Sequence, residues 1–328
     1  MQPVKQAVLA AFRQGGKPLS GEALGKKLGV SRAAIWKCVH ELRRQGYVID
    51  SSPRKGYSLV SSPDLLLPEE IRRGLAAQSF GKRIVYRDEC ASTQDLAAEL
   101  ARGGEPEGLV VITENQTQGR GRKGRSWIST PGAGVYLSVI LKPGLKPSQI
   151  VQIPLIAGVA AARAIRAESG LKPDIKWPND ILIGGKKVAG ILTEMSCELD
   201  RINHVILGIG INVNTRESDW SEPVRAVATS LCAECGHKIS RVALVQRFLT
   251  ELEAVYHRYL AGGFESIRQE WKSLSSTIGS LVEITDSGER LTGEALDIDQ
   301  DGFLLLKTDA GHTERIVAGD VSLRNLTT

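Results

Sequence analysis

Cysteine is scarce, with five residues in a chain of 328. That is too few for a disulfide framework at this length, so a protein of the reducing cytoplasm is expected. Long hydrophobic runs are missing as well. No stretch approaches roughly 18 uninterrupted apolar residues, so neither a transmembrane helix nor a membrane partner is expected. The opening MQPVKQAVLAAFRQGG has too short an apolar core and the wrong flanks for a secretory signal. Internal repeats and low-complexity tracts are not apparent. Hydrophobic content of 42% and charged content of 24% are those of a soluble globular protein.

Acidic charge is lacking in one region only. Residues 1–60 hold 11 Lys and Arg against 3 Asp and Glu, a net of +8, while the remainder is net −3 and the whole chain +5. All of the excess positive charge therefore sits in the first sixty residues, the footprint of a nucleic-acid-binding module on a near-neutral body.

The length suggests two or three domains. Residues 1–62 read as three helices and a basic hairpin. Ser20 precedes the second helix and Gly29 ends it; Ser31 is the N-cap of the third and Gly46 its stop. Ala34, Val39 and Leu42 are expected to face inward, with Arg32, Lys37, Arg43 and Arg44 solvated. A Pro-Arg-Lys-Gly turn carrying Arg54 and Lys55 follows. This is the pattern of a winged helix-turn-helix, with Ser31, Arg32, Lys37, Arg54 and Lys55 as DNA contacts. A helical protein-interaction module is the alternative, and the charge and the hairpin favour DNA.

Residues 63–81 form a linker by composition. From 82 to 272, strands such as GLVVIT, GVYLSVIL and HVILGIGINV alternate with amphipathic helices. Residues 240–260 show helix period through Val242, Val245, Leu249, Leu252 and Tyr259, and residues 150–168 read as a more buried helix. From 273 to 328 the texture changes to short alternating runs, which suggest a small β-barrel. The fold class is α+β: a winged helix-turn-helix, a central mixed α/β domain and a small terminal barrel.

The stretch GRGRKGRSW, Gly119 to Trp127, fits two phosphate motifs: G-x-G-x-x-G, and a Walker A loop with Arg125 in place of Lys. Both motifs need a helix immediately after the glycines, because the helix N-terminus supplies the phosphate-binding amides. Pro131, Gly132 and Gly134 forbid one here, and a strand follows. What remains is a loop with Arg120, Arg122, Lys123 and Arg125 in six residues, which repel one another unless an anion or water screens them. A solvated basic loop is the plain alternative. Its place between two strands, beside Trp127, argues for a clamp on a polyanion, with the indole free to stack on a base. IKWPNDILI adds Lys176, Asn179 and Asp180 at a turn. GKKVAGILTE adds Lys187, and GIGINVN adds Gly208, Gly210 and Asn212 at a strand end. CAECGH offers Cys232, Cys235 and His237, but no second pair exists to complete a four-ligand site, and no zinc is expected.

The runs GRGRKGRSW, KWPND, KKVAGIL and GIGIN, in that order, resemble the catalytic domain of the bifunctional biotin–protein ligases that double as biotin operon repressors. With the winged helix and the terminal barrel, the resemblance extends over nearly the full length. It implies formation of biotinyl-5′-AMP from biotin and MgATP, then transfer to a lysine of a biotin carboxyl carrier domain. It implies Lys187, Arg122 and Arg120 as the catalytic cations, and Ser92, Thr93 and Gln116, with Arg120 and Lys187, around biotin. Gly119, Arg122, Trp127, Lys176, Asn179, Asp180 and Asn212 would serve the nucleotide, Trp127 facing adenine and Asp180 assisting the Mg²⁺ that ATP carries. Operator DNA and a homodimer of the adenylate-bound form are further implied. The chain departs from the usual Ser-Thr-Asn with Gln94, and from G-x-N-x-Y with Gly134. A lipoate or other acyl–protein ligase, and a biotin-sensing repressor without transfer activity, are the alternatives.

Overall fold

The computed structural model describes residues 2–15, 18–52, 55–198, 201–286 and 289–323, which fall into two compact units, Met1–Leu65 and Leu66–Thr328. The first unit contains α1 (Gln2–Gly15), α2 (Gly21–Leu28), α3 (Arg32–Arg44) and the antiparallel hairpin β1 (Val48–Ser52) and β2 (Gly56–Ser61). Ser20 Oγ accepts from the Ala23 N–H at 3.0 Å and Ser31 Oγ from that of Ala34 at 3.1 Å, so both expected caps satisfy an orphan helix donor. Gly29 closes α2 in the left-handed conformation at φ 68°. The buried stripe of α3 is Ile35, Val39 and Leu42, with Ala34 only half-buried. The inward face thus starts one residue later than expected, at the larger apolar side chain. Of the expected DNA contacts, Arg54 lies outside the described residues.

The second unit opens with α4 (Pro68–Gly74), β3 (Ile84–Cys90), α5 (Thr93–Arg102), β4 (Val110–Gln116) and β5 (Gly134–Leu141). It continues through α6 (Ile153–Ser169), β6 (Asp174–Lys176), β7 (Asp180–Ile183), β8 (Lys186–Glu198) and β9 (Arg201–Asn212). Helices α7 (Glu222–Val227), α8 (Leu231–Cys235), α9 (Arg241–Gly262) and α10 (Glu265–Ser273) follow. The sheet runs β3-β4-β5-β9-β8-β7-β6, with only the β3–β4 pair parallel. All eight residues of β5 are buried, and its side chains serve two cores in alternation. Val135, Leu137, Val139 and Leu141 join the large core with α6 and α9; Ile140 joins Ala97, Ala101 and Val111 under α5.

One helical segment, Pro147–Ser169, is long and apolar enough to span a membrane by length and composition, and 67% of its most apolar window is buried inside the protein. It packs against α9 as the core helix of the unit.

The terminal region contains β10 (Leu281–Asp286), β11 (Glu289–Ile298), β12 (Leu304–Thr308), β13 (Thr313–Ile316) and β14 (Asp320–Leu323). They form an antiparallel sheet in the order β13-β12-β11-β10-β14. The expected barrel is not closed. Its edge strands are four residues each, and among the described residues no ladder joins them. The sheet does not need to close on itself, because Val282, Ile284, Ala295, Leu304 and Leu306 bury their side chains in the large core of the unit.

Candidate active site

A cavity opens on the sheet where β8 and β9 run side by side, roofed by the loop between β4 and β5. Gly190 on β8 pairs with Gly210 on β9, leaving a patch of floor without side chains. The indole of Trp127 lies on that patch. A Cβ at Gly210 would stand 2.5 Å from Trp127 Cε2, and one at Gly190 would stand 2.9 Å from Cζ3. The two glycines of the VAGIL and GIGIN runs are therefore close-approach positions. Trp127 Nε1 is buried without a hydrogen-bond partner, and Lys187 Nζ is 5.5 Å from the ring centroid.

Lys187 reaches the cavity through an irregularity in the ladder. Asp180 pairs with Gly190 and Ile181 with Ala189, but Leu182 pairs with Lys187, leaving Val188 as the extra residue of a bulge. Leu182 is two residues from Asp180 and shares its face, so Lys187 is placed on that face too. Its Nζ lies 2.6 Å from Asp180 Oδ1, while Lys176 Nζ lies 3.4 Å from Oδ2.

The glycine-rich loop forms a 3₁₀ turn at Arg122–Gly124, and no helix follows it, so both phosphate motifs are excluded. Three of its cations turn toward the terminal sheet. Arg122 Nη1 donates to Asn179 Oδ1 at 3.1 Å and to the Gly319 carbonyl at 3.3 Å, and lies 3.9 Å from Asp320 Oδ1. Lys123 pairs with Asp286 at 2.8 Å, and Arg125 pairs with Asp320. Arg120 faces the other way, 2.7 Å from Asp95 and 2.9 Å from Glu194.

At the opposite end the lining is neutral and polar. Ser92 caps α5, accepting from the Gln94 N–H at 3.3 Å. Gln116 Oε1 accepts from the Thr93 N–H at 2.9 Å and its hydroxyl at 3.1 Å. Ser138 Oγ donates to Gln94 Oε1 at 3.0 Å and lies 2.9 Å from Thr93 Oγ1. Gln94 Nε2 donates to the Ile206 carbonyl at 3.1 Å, so the longer side chain ties α5 to β9. The other departure also has a steric basis. Any side chain at residue 134 would meet the Tyr136 hydroxyl, which accepts from the Thr130 N–H at 2.8 Å.

Ser92, Thr93, Gln116, Arg120, Arg122, Trp127, Asn179, Asp180 and Lys187 all line this cavity. Gly119 lies behind it, where a Cβ would strike the Trp127 carbonyl at 2.6 Å. Lys176 touches the site only through Asp180, and Asn212 turns aside to donate to the Thr229 carbonyl at 3.1 Å. Gln94 and Arg125, which the motifs contain without an assigned site role, also line the cavity, as do Ser138 and Asp320, which no motif includes. Near the chain's CAECGH run, the Cys235 thiol donates to the His237 carbonyl at 3.1 Å. All five cysteines are free. Among the described residues, no group of three or more His, Cys, Asp or Glu is placed to hold a metal.

The cavity thus combines a neutral hydrogen-bonding end, an apolar floor and a cationic end. It suits a ligand with a polar uncharged head, an aliphatic middle and an anionic tail.

Comparison with known proteins agrees with this chemistry. The Biotin/lipoate A/B protein ligase family matches residues 88–212, an HTH domain residues 4–58, and the Biotin protein ligase C terminal domain residues 277–324. The bifunctional ligase/repressor BirA of Bacillus subtilis is 41% identical over 321 residues, 98% of each chain. The chain belongs to the bifunctional biotin ligase/repressor family. The Escherichia coli member, also a bifunctional ligase/repressor, is 32% identical over 317 residues, 97% of this chain and 96% of that one. Among solved structures, the biotin protein ligase of Aquifex aeolicus in complex with biotin and ATP superposes with a TM-score of 0.64 at 29% identity. That match covers 74% of this chain and 99% of the other. As a biotin ligase/repressor, the chain is an ATP-dependent enzyme joined to a DNA-binding module.

Proposed function

We propose that the cavity binds biotin with its ureido ring at Ser92, Thr93 and Gln116 and its carboxylate toward Lys187 and Arg120. The ATP phosphates would lie against Arg122 and Lys187, and adenine against the free face of Trp127, with Asn179 and Asp180 at the ribose and phosphates. Lys176 and Asn212 support the nucleotide indirectly, through Asp180 and through the Thr229 carbonyl. Mg²⁺ arrives on the triphosphate, whose oxygens remain its main ligands, with Asp180 the carboxylate at hand.

In the first step the biotin carboxylate oxygen attacks the α-phosphorus, pyrophosphate leaves and a mixed anhydride with AMP forms. Two anions must approach, so positive charge around the reacting atoms is the chief catalytic requirement. In the second step the amine of a carrier-domain lysine attacks the anhydride carbonyl and AMP leaves. The observation that carries this reading is that Lys187, Arg120, Arg122 and Arg125 line one cavity together with the neutral polar Ser92, Thr93, Gln94 and Gln116.

The acceptor is the biotin carboxyl carrier domain of a carboxylase, the site of action the cytoplasm, and the partner of residues 1–62 operator DNA. Residues 82–272 serve as the ligase domain and 273–328 as the terminal domain. The expected linker 63–81 is cut back, since from Leu66 on it belongs to the second unit, with α4 and the buried Leu66, Ile71 and Phe80 in its core. The adenylate-bound form is a homodimer, since a ligand that orders the loop also lowers the entropic cost of an interface. Sedimentation velocity with a non-hydrolysable adenylate analogue checks the dimer, which fails if the monomer–dimer balance does not move.

A lipoate–protein ligase is the second reading, because the matched family includes both activities. Biotin-dependent exchange of labelled pyrophosphate into ATP decides between them. Exchange with biotin and none with lipoate is expected. The reverse would make the chain a lipoate enzyme, and exchange with biotin but no biotin on a carrier domain would leave a biotin-sensing repressor without transfer activity.

A further inference from the structure

On helix α3, Arg32, Trp36, His40 and Arg44, at a spacing of four, form an exposed stripe that runs beside the buried Ile35, Val39 and Leu42 and turns away from them toward the C-terminal end. Trp36 is 58% exposed, the one aromatic among the large exposed hydrophobic side chains of the described residues. Its ring stacks on that of His40, centroids 5.6 Å apart at 32°. Ala33 and Lys37 lie next to the stripe, the half-buried Glu41 is 3.6 Å from Arg44, and the exposed Glu22 lines the same surface pocket as Arg32. The aromatic pair lies on a solvated face where the cations Arg32, Lys37 and Arg44 outnumber the acids Glu22 and Glu41. It fits a polyanion that offers an apolar feature within a groove wide enough for a helix.

We propose that Trp36, braced by His40, is a specificity-determining residue of the repressor half, reading a thymine methyl in the major groove of duplex DNA. The inference rests on the repressor reading above. The major groove admits an α-helix, and the thymine C5-methyl is the apolar group it displays. Arg32, Lys37 and Arg44 neutralise phosphates, which sets affinity and register without reading sequence. Trp36 then supplies discrimination while leaving the salt dependence to the cations.

The test uses the full chain with biotin and MgATP. Wild-type protein selects a preferred duplex from a randomised pool. Affinity is then measured for that duplex, for the same duplex with each thymine replaced in turn by deoxyuridine, and for a random duplex of equal length. Loss of one methyl should weaken wild-type binding at one position of each half-site. Trp36→Ala should lower the preferred-to-random ratio by about 5- to 150-fold per half-site, the range for one base contact. It should be indifferent to that deoxyuridine, keep the salt slope, and be largely rescued by Trp36→Phe. Arg32→Ala should weaken both duplexes alike and reduce the slope by about 0.9 per half-site, about 1.8 for the dimer. An unchanged ratio and deoxyuridine response in Trp36→Ala overturns the inference while the repressor reading stands. The same holds if that variant alters only self-association. Failure of wild-type protein to bind any duplex at low salt overturns the repressor reading itself.

Discussion

The Nζ of Lys187 stands 2.6 Å from Oδ1 of Asp180, on a face it reaches only because a bulge at Val188 resets the strand register. The carboxylate holds the ammonium over the cavity, 5.5 Å from the Trp127 ring. Lys187→Ala should reduce adenylate formation by about 10²–10³, the usual loss for one preorganised group that stabilises transition-state charge. The side chain is partly exposed, so the melting temperature should stay close to wild type. Pyrophosphate release at wild-type rate in this variant would remove Lys187 from the catalytic set.

Arg122→Gly addresses retention. Arg122 joins the glycine-rich loop to Asn179 and to the Gly319 carbonyl. Without it the loop loses its tie across the cavity mouth, and biotinyl-AMP should escape and acylate exposed lysines at random. Blotting for biotin on a bystander protein should show broad labelling while adenylate synthesis continues. Labelling confined to the carrier domain would mean that the loop is not the clamp.

Asp320 provides the counter-charge for the loop, within 3.9 Å of Arg122 and Lys123 and paired with Arg125. Partly exposed pairs contribute about 0–1 kcal/mol each, so Asp320→Asn should loosen the loop rather than unfold the unit. Trypsin should cleave at Arg120–Arg125 roughly two- to tenfold faster in the ligand-free variant, an effect of about 1 kcal/mol. Biotin with MgATP should restore protection, because phosphates replace the carboxylate. Equal cleavage rates in variant and wild type would show that Asp320 does not hold the loop.

Glu253 gives a prediction in pH. Burial of this carboxylate acts to raise its pKa, but backbone N–H donors from Gln78, Phe80 and Ser79 outweigh burial and hold it below its ordinary value of 4.5. The Gln78 and Phe80 bonds are 2.6 and 3.0 Å long. A depressed folded-state pKa stabilises the fold above the unfolded value, and this stabilisation is lost as pH falls through the folded one. Glu253→Gln should therefore cost about 1.5–3 kcal/mol near neutral pH, the range for hydrogen bonds to a charged group. The gap in urea-unfolding free energy from wild type should narrow as pH drops below 4.5. A gap that does not change with pH would contradict the assignment.

Much of this architecture was readable from local sequence. The run GVYLSVIL, ending before Lys142 and Pro143, marked β5 to the residue, and the serine caps marked α2 and α3. Strand β3 escaped notice because YRDEC is polar and borders solvent, and β14 because four residues give no periodicity. Whether the terminal strands close on themselves depends on what covers their apolar face, which alternation cannot reveal. At the site, Ser92, Thr93, Gln116, Arg120, Arg122, Trp127, Asn179, Asp180 and Lys187 come to one cavity because their motifs lie on or beside neighbouring parts of one sheet, whereas Gly119, Lys176 and Asn212 do not line it. Asp320 carried no signal, since it meets Arg125 across 195 residues through an ion pair that leaves no local pattern. Ser138 carries no signal either, being a single hydroxyl inside an otherwise apolar strand.

The central claim is transfer of biotin to one lysine of a carrier protein through an adenylate made in this cavity. Its most direct test is intact-mass spectrometry of a biotin carboxyl carrier domain incubated with the chain, MgATP and biotin, with lipoate in a parallel reaction. The expected result is one biotinyl group on one lysine, none when ATP is withheld, and no modification by lipoate. Modification by lipoate, or an unmodified carrier in both reactions, would contradict it.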